Sequence, residues 1–301
     1  LADVAEKSID VQYYLYHKDE VGALFSGVLW NAADRGVRIR LLVDDMDMDG
    51  RDAGLLTLDA HANIEIRIFN PFDRGFSRVP QFVTGLGTIT RRMHNKSFTA
   101  DNQMTILGGR NIGNEYFEAD PAVDFADLDV LAIGKVVADV SNAFDMYWNS
   151  SLAYPVSKLI DKRITEQDMR AAFDRLETFM EEQATSNYMT ALLNSDLARQ
   201  ISNREERYFI GDAVVVVDDP EKITSSRDAS ELHLVTQLAP YFEQIQHELI
   251  IVSPYFVPGD EGVLQHEHVA LVVGVRHRLE HPRGEHVHGT VSPGPRLVGK
   301  Q

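Results

Sequence analysis

The stretch that decides the fold is residues 91–116, RRMHNKSFTADNQMTILGGRNIGNEY. Within it, His94, Lys96 and Asp101 have the spacing His-x-Lys-x4-Asp. The residues between and after them have the pattern of two short strands. Because alternate side chains of a strand share one face, we expect His94 and Lys96 to point the same way. The stretch therefore predicts an imidazole beside an ammonium group on one wall of a site.

A second wall is expected directly after the first, at residues 108–111, Gly-Gly-Arg-Asn. Glycine permits a close backbone approach, so Gly109 is a candidate phosphate-binding position, and Asn111 can donate through its side-chain amide. A neutral imidazole is a good nucleophile near pH 7. Lys96 and Asn111 would stabilise a non-bridging phosphate oxygen in the transition state. We expect phosphoryl transfer through His94, with no metal and no other cofactor.

The motif His-x-Lys-x4-Asp, followed by Gly-Gly-Arg-Asn-Ile-Gly-Asn-Glu-Tyr-Phe, resembles the HKD motif of the phospholipase D superfamily. Residues 93–101, MHNKSFTAD, are most similar to bacterial cardiolipin synthases of the C type, and the resemblance extends over residues 8–263. It implies that His94, Lys96 and Asp101 form the catalytic motif, with Asp101 orienting its neighbours rather than reacting. It also implies that Glu115 supports the histidine, although a surface carboxylate is an equal interpretation.

The resemblance implies a phosphatidyltransferase that forms cardiolipin. His94 would attack the phosphodiester of a phospholipid, and the hydroxyl of phosphatidylglycerol would take the phosphatidyl group from the histidine. Phosphatidylglycerol and phosphatidylethanolamine are the expected substrates. One alternative is hydrolysis through the same intermediate, by a phospholipase D or a nucleic-acid phosphodiesterase. Another is an inactive single-motif fragment, because the second histidine that serves two-lobed members as acid is not found. A homodimer that pairs two His94 sites would restore that histidine.

Composition limits the partners. A net charge of −17 over 301 residues argues against extended nucleic-acid binding, which needs a basic surface. The sequence contains no apolar run of about 18 residues, so it predicts no membrane span. We therefore expect a cytoplasmic protein, peripherally associated with the inner membrane. Residues 70–90 hold aromatic and basic side chains and are either a lid over the sheet or a segment that inserts at a lipid interface.

Helix and strand patterns alternate along the chain, and this order predicts an α/β fold: a phospholipase D-like layered mixed sheet flanked by helices, with an incomplete second lobe. We expect a first domain at residues 1–156 and a helical connector at 157–211. A truncated second domain is expected at 212–263, because residues 214–217 are four valines typical of a buried strand, and residues 249–263 repeat the start of the chain.

Two further stretches contain histidines outside the motif. Residues 17–19 are also His-Lys-Asp, but as direct neighbours without the motif's spacing, so no catalytic role is assigned to them. Residues 264–301 contain six of the eleven histidines and no aromatic residue. We expect this tail to be disordered or frameshifted. A histidine-rich metal-binding tail is the alternative, but its His-x-His pairs have no ordered scaffold.

Overall fold

The computed structural model describes residues 1–48, 52–74, 91–117, 119, 124–203, 205, 208–225, 232–246, 249–252, 269–272 and 274–276. The strands are β1 (Ser8–Tyr13), β2 (Arg38–Asp44), β3 (Ile64–Phe69), β4 (Ser97–Ala100), β5 (Met104–Gly108), β6 (Asp124–Ala126), β7 (Asp129–Ile133), β8 (Ala153–Pro155), β9 (Leu249–Val252), β10 (Val269–Val272) and β11 (Gly274–Arg276). The helices are α1 (Glu20–Asp34), α2 (Asp52–Asp59), α3 (Lys135–Trp148), α4 (Val156–Leu159), α5 (Glu166–Gln183), α6 (Asn187–Leu193), α7 (Asp196–Asn203) and α8 (Leu234–Phe242).

Seven strands form one mixed sheet in the order β7-β5-β4-β1-β2-β3-β8. The pairs β1–β2 and β2–β3 are parallel, and the other four pairs are antiparallel. β1 is the central strand, and all six of its residues are buried. A strand that is buried on both faces requires cover from helices on both sides. The predicted α/β layered mixed sheet is therefore confirmed.

The two faces of the sheet belong to two separate cores. On one face, Leu41 and Val43 of β2 pack in a cluster with side chains of α1 and α2. On the other face, Leu42 packs with Phe144 of α3. This alternation follows from the strand period of two. Each fully buried large side chain contributes roughly 1.5–3 kcal/mol of hydrophobic stabilisation, so the sheet is a rigid platform for the residues at its edge.

The order of the strands brings the HKD stretch to one edge of the sheet. β1, β2 and β3 run in parallel and therefore end at the same edge. β4 is antiparallel to β1, with Ser97 opposite Gln12 and Ala100 opposite Ile9. The residues just before Ser97 therefore lie at the carboxyl ends of the parallel strands, and the residues just after Ala100 lie at their amino ends.

Several predicted elements differ from the structure. The buried strand expected at residues 214–217 is wrong: they form no strand and are exposed or partly exposed. A run of valines becomes a strand only where a neighbouring strand supplies hydrogen bonds, and among the described residues none pairs with this run. The sequence pattern of residues 231–248 also predicts a longer helix than the structure has, since α8 spans only Leu234–Phe242. None of the described helices is long and apolar enough to cross a membrane.

The predicted domain boundaries at residues 156 and 211, and the second domain at 212–263, stay predictions. β9 lies where the repeat of the chain's start was expected, but residues 253–263 are outside the described part. The same holds for residues 75–90 of the expected lid, and for residues 264–268, 273 and 277–301 of the tail. Within the tail, β10 pairs with β9 and β11 pairs with β6.

Candidate active site

His94 and Lys96 lie in a segment without regular structure, residues 91–96, and not on a strand as the sequence suggested. β4 begins at Ser97, one residue after Lys96. The two side chains are nevertheless neighbours. Lys96 Nζ donates to the backbone oxygen of His94 over 2.6 Å. The predicted pairing of the imidazole with the ammonium group stays a prediction, because this contact joins the ammonium to the backbone of His94 and not to its ring.

Tyr14 contacts both His94 and Lys96. Its ring lies 4.0 Å from the imidazole of His94, centroid to centroid, with 31° between the planes. The ammonium of Lys96 is 5.6 Å from the centroid of the same ring, within the range of a cation–π interaction. Tyr14 directly follows β1, so the central strand of the sheet positions it. Sequence reasoning missed this residue; the available signal was an aromatic residue at the end of the most buried strand.

The backbone before His94 is anchored to a buried carboxylate. Asp44, at the end of β2, is fully buried. It accepts hydrogen bonds from Met93 N at 3.1 Å, Arg92 Nη1 at 3.2 Å and Met46 N at 2.9 Å. Burial raises the pKa of Asp44 to about 7, although the charge of Arg92 and the two backbone bonds act in the opposite direction. His94 thus follows two residues that are held on one side chain.

Arg92 is itself almost fully buried. Its guanidinium lies over the ring of Phe72, 4.3 Å from the centroid, and also donates to the backbone oxygen of Asn70 over 2.7 Å. Asn70 follows β3, just as Asp44 ends β2. The candidate catalytic segment, residues 91–96, is therefore joined to the carboxyl ends of two parallel strands. These contacts limit the positions that His94 can take.

The protonation states suit a nucleophilic histidine. Burial of the ring, mainly, and the nearby charge of Lys96 lower the pKa of His94 below its usual 6.5. Nδ1 of His94 lies 3.2 Å from the backbone oxygen of Arg92. With its proton on Nδ1, the ring donates to this oxygen and presents the lone pair of Nε2. The residue as a whole is exposed to solvent, while Tyr14 covers part of its ring. The imidazole is thus neutral at pH 7 and open to a substrate.

Lys96 is more enclosed than a typical lysine. Burial lowers its pKa to about 8, and the carboxylate of Asp127 acts against this shift. Asp127 also lies against Gly109, because a Cβ on Gly109 would fall 2.0 Å from Asp127 Oδ2. Only glycine fits there without displacing the carboxylate. The structure therefore brings Lys96, Asp127 and Gly109 together, and Asp127 is a residue to which sequence reasoning gave no role.

Asn111 is buried and has a fixed orientation. Its Oδ1 accepts a hydrogen bond from the backbone nitrogen of Leu15 at 3.0 Å. The next residue, Ile112, pairs with the chain after β1: its nitrogen donates to the oxygen of Leu15, and its oxygen accepts from His17. With Oδ1 occupied, Nδ2 is the donor end of the amide. This orientation supports the predicted donor role of Asn111, which stays a prediction.

Glu115 has a different partner from the one expected. Its Oε1 lies 3.1 Å from Nδ1 of His17, while Nε2 of His17 lies 3.2 Å from Asp47 Oδ2. No described contact joins Glu115 to His94. His17, which lacks the motif's spacing, is therefore the histidine that this carboxylate holds. Support of His94 by Glu115 stays a prediction without a contact behind it.

His17, Asp19 and Glu115 also bring three ligand atoms within 4.8 Å of one another. The carboxylate of Asp19, however, already accepts hydrogen bonds from the backbone nitrogens of Gly22 at 2.9 Å and Asn114 at 2.7 Å. These contacts begin α1 and tie it to the chain after Asn111. The group is thus explained as a structural cluster that fixes the loops around the site.

Asp101 lies at the opposite end of β4 from His94. It has a positive φ of 53° in the turn between β4 and β5. Its carboxylate accepts three backbone hydrogen bonds, listed here by donor: Glu6 at 2.9 Å, Lys7 at 2.7 Å and Ser8 at 2.8 Å. Burial opposes their effect, but these bonds lower the pKa of Asp101. The structure therefore does not bring Asp101 together with His94 and Lys96, and its contacts are those of a residue that fixes the start of β1.

Comparison with known proteins gives the class. The family model described as "Cardiolipin synthase, PLD-like domain" matches residues 1–148, which include six of the seven strands of the sheet and both His94 and Lys96. Residues 1–148 of the chain therefore belong to the phospholipase D superfamily. It is 37% identical to cardiolipin synthase C of Escherichia coli (strain K12) over 265 residues, which cover 88% of this chain and 55% of that protein.

Two further likenesses were found. An uncharacterized protein of Helicobacter pylori (strain ATCC 700392 / 26695) is 32% identical over 262 residues, 86% of this chain and 51% of that protein. Among solved structures, Nuc from Salmonella typhimurium, a phospholipase D family member, is 18% identical with a TM-score of 0.35, covering 51% of this chain and 84% of that one. The chain spans about half the length of the curated relatives that it matches.

Proposed function

We propose that this chain is the part of a phosphatidyltransferase that forms the phosphatidyl-histidine, in the synthesis of cardiolipin. The observation that carries the proposal is the state of His94. Its Nδ1 lies against a backbone oxygen, its pKa is lowered by burial, and the ammonium of Lys96 is beside it. The similarity to a cardiolipin synthase over 88% of the chain supports lipid as the substrate class.

The first step follows from this geometry. Nε2 of His94 attacks the phosphorus of a phospholipid, a nitrogen–phosphorus bond forms, and the bond to the head-group alcohol breaks. Lys96 and the amide of Asn111 neutralise the charge that develops on the non-bridging oxygens, with Gly109 permitting close approach. One such donor is typically worth about 10²–10³ in rate. The leaving alcohol takes a proton from a general acid.

In the second step the hydroxyl of an acceptor attacks the same phosphorus, loses its proton, and releases the imidazole. With phosphatidylglycerol as acceptor the product is cardiolipin; phosphatidylglycerol and phosphatidylethanolamine are the donors we propose. A second histidine in the role of acid and base would come from further sequence or from a second copy in a homodimer. The site would work at the cytoplasmic surface of the inner membrane, to which the protein would bind peripherally.

Hydrolysis is the second candidate, as phospholipase D activity or as phosphodiesterase activity on nucleic acid. The exposure of His94 to solvent favours it, because water could then replace the acceptor hydroxyl. A net charge of −17 makes nucleic acid the weaker substrate of the two. An inactive fragment is a third outcome, since one chain supplies a single His-x-Lys-x4-Asp motif.

The test incubates wild type, His94→Ala and His61→Ala with labelled phosphatidylglycerol and phosphatidylethanolamine. It measures the acid-labile label on each protein and identifies the lipid products. His61 is a suitable control because its described side-chain contacts are with Asp34, Trp30 and the backbone nitrogen of Asn63, and not with residues 91–96. We expect labelled protein and cardiolipin from wild type and His61→Ala, and neither from His94→Ala. Phosphatidic acid in place of cardiolipin would favour hydrolysis. Absence of label on the wild-type protein would refute the nucleophilic role of His94.

A further inference from the structure

A segment far along the chain, residues 217–225, lies against the catalytic segment. The hydroxyl of Tyr147 donates to the backbone oxygen of Asp218 over 2.8 Å and is also hydrogen-bonded to the side chain of Asn95, the neighbour of His94. One buried hydroxyl therefore joins the two segments within one residue of the nucleophile. This contact is internal to the fold and does not depend on any family motif.

Two further contacts attach residues 217–225, called the wall below, to the chain beside His94. Nη1 of Arg91 donates to the backbone oxygens of Lys222 and Ser225. Ile223, which is 1% exposed, packs in the core cluster that contains Met93. Residues on both sides of His94 are thus attached to residues 217–225.

This wall presents one cation and one anion. Nζ of Lys222 pairs with Oδ2 of Asp218, and the two side chains are only 12% and 23% exposed. Oδ1 of Asp218 has a separate structural task, because it accepts from the backbone nitrogen of Leu234 at 2.6 Å, at the start of α8. The ammonium of Lys222 is therefore held at the site by an ion pair that a second anion can replace.

Both charges act on the nucleophile. After burial and Lys96, which lower the pKa of His94 most, Lys222 also lowers it and Asp218 raises it. The two groups are thus close enough to influence the ring. A phosphate at Nε2 would carry at least one negative charge, and Lys96 supplies one partly buried ammonium near it. Lys222 offers a second ammonium, on the wall formed by residues 217–225.

We propose that Lys222 is a second phosphate-binding cation of the His94 site, and that it exchanges Asp218 for an oxygen of the bound phosphate. The ligand chemistry is that of a phosphate group, which lipid head groups and free phosphate share. Only the assignment to lipid rests on the proposed function. Asp218 then limits the affinity of the empty site, since it competes for the same ammonium.

The test measures binding of inorganic phosphate by calorimetry to the full chain and to three variants. Lys222→Ala is expected to weaken binding by about tenfold, the size expected for loss of one charge-assisted hydrogen bond. Asp218→Asn is expected to tighten binding about threefold, because the ammonium is released while Oδ1 still accepts from Leu234. Lys135→Ala, at an exposed lysine at the start of α3, is the control and should bind as wild type does. A purely structural wall predicts that both site variants weaken binding, and that result would overturn the proposal.

The titration of His94 by NMR gives a second readout with opposite signs. The pKa of His94 should rise in Lys222→Ala and fall in Asp218→Asn; shifts in the same direction would refute the proposal. The phosphate arm separates this idea from the proposed function. Opposite effects on phosphate, with no turnover of short-chain phosphatidylglycerol, would retain the cation site and reject the transferase. Lipid turnover with unchanged phosphate affinity in both variants would retain the transferase and reject the cation site.

Discussion

The substitution Asp44→Asn tests whether the buried carboxylate of Asp44, which holds residues 92 and 93, lowers the free energy of unfolding. In the folded protein, burial raises the pKa of this carboxyl from 3.8 to about 7. One pKa unit corresponds to about 1.4 kcal/mol, so ionising Asp44 costs roughly 4 kcal/mol more in the folded state than in the unfolded chain. Asparagine has the same shape, cannot ionise, and can still accept from Met46 and Arg92 through Oδ1.

The direction in which the stability of the protein changes with pH follows from proton linkage. Because the folded pKa is raised, the folded protein binds more protons than the unfolded chain between about pH 4 and pH 7, and stability falls as the pH rises through this window. The variant lacks this loss. We therefore expect the difference in unfolding free energy to move by about 2–3 kcal/mol in favour of Asp44→Asn between pH 5 and pH 8.

Urea denaturation at pH 5, 6, 7 and 8 measures this difference. Both proteins are best compared in a His94→Ala background, because His94 titrates in the same window. A difference that is constant, or that moves against the variant as the pH rises, would show that the pair with Arg92 outweighs burial and would refute the reasoning.

The same substitution should harm function. The variant loses the acceptor for Met93 N, and displacement of His94 by about 1 Å can cost roughly 10²-fold in rate. With His94 intact, we expect covalent labelling by lipid to slow by at least about tenfold while the fold is more stable at pH 8. A more stable and equally active variant would show that Asp44 does not position the nucleophile.

Three further outcomes are expected. Labelling of His94 should follow a bell-shaped pH profile, lost on the acid side only below the usual histidine pKa of 6.5, as the imidazole gains a proton, and lost above about pH 8 as Lys96 loses one; an acid limb above pH 6.5, or full labelling at pH 9, would contradict these shifts. Tyr14→Leu should slow labelling about tenfold and Tyr14→Phe less than about twofold, because the ring and not the hydroxyl contacts His94; equal losses would point to the hydroxyl. Asp101→Ala should lose about 1–2 kcal/mol of unfolding free energy with labelling per folded molecule unchanged. Since the folded pKa of Asp101 is lowered, this loss should disappear as the pH falls below about 4, and loss of labelling would instead place Asp101 in the chemistry.

The strand and helix periods were sufficient to predict the sheet. Ile39, Leu41 and Val43 alternate as the sequence suggests, and their faces agree with the two cores. The four valines at residues 214–217 mislead for a physical reason. A β-branched run records a preference for an extended, half-buried surface, while strand pairing depends on a partner that the local sequence does not show.

The candidate site divides in a similar way. His94 and Lys96 were found from spacing, and Asn111 from its type and place. Sequence reasoning missed Tyr14, Asp44 and the segment at residues 217–225, because each is distant in sequence from the motif. Tyr14 and Asp44 reach it at the sheet edge, and residues 217–225 reach it through Tyr147 and Arg91. Asp101 shows the converse: its spacing belongs to the motif, but an antiparallel turn takes it to the far end of β4.

The sequence by itself determined that this protein has an α/β fold with a histidine and a lysine two positions apart, since periodicity and spacing along the chain are local properties. Only the tertiary structure decided which groups surround that pair. The environment that makes His94 neutral and holds it in place comes from β1, from the end of β2 and from residues 217–225. Burial and charge act through space, and the order of residues along the chain does not state those distances.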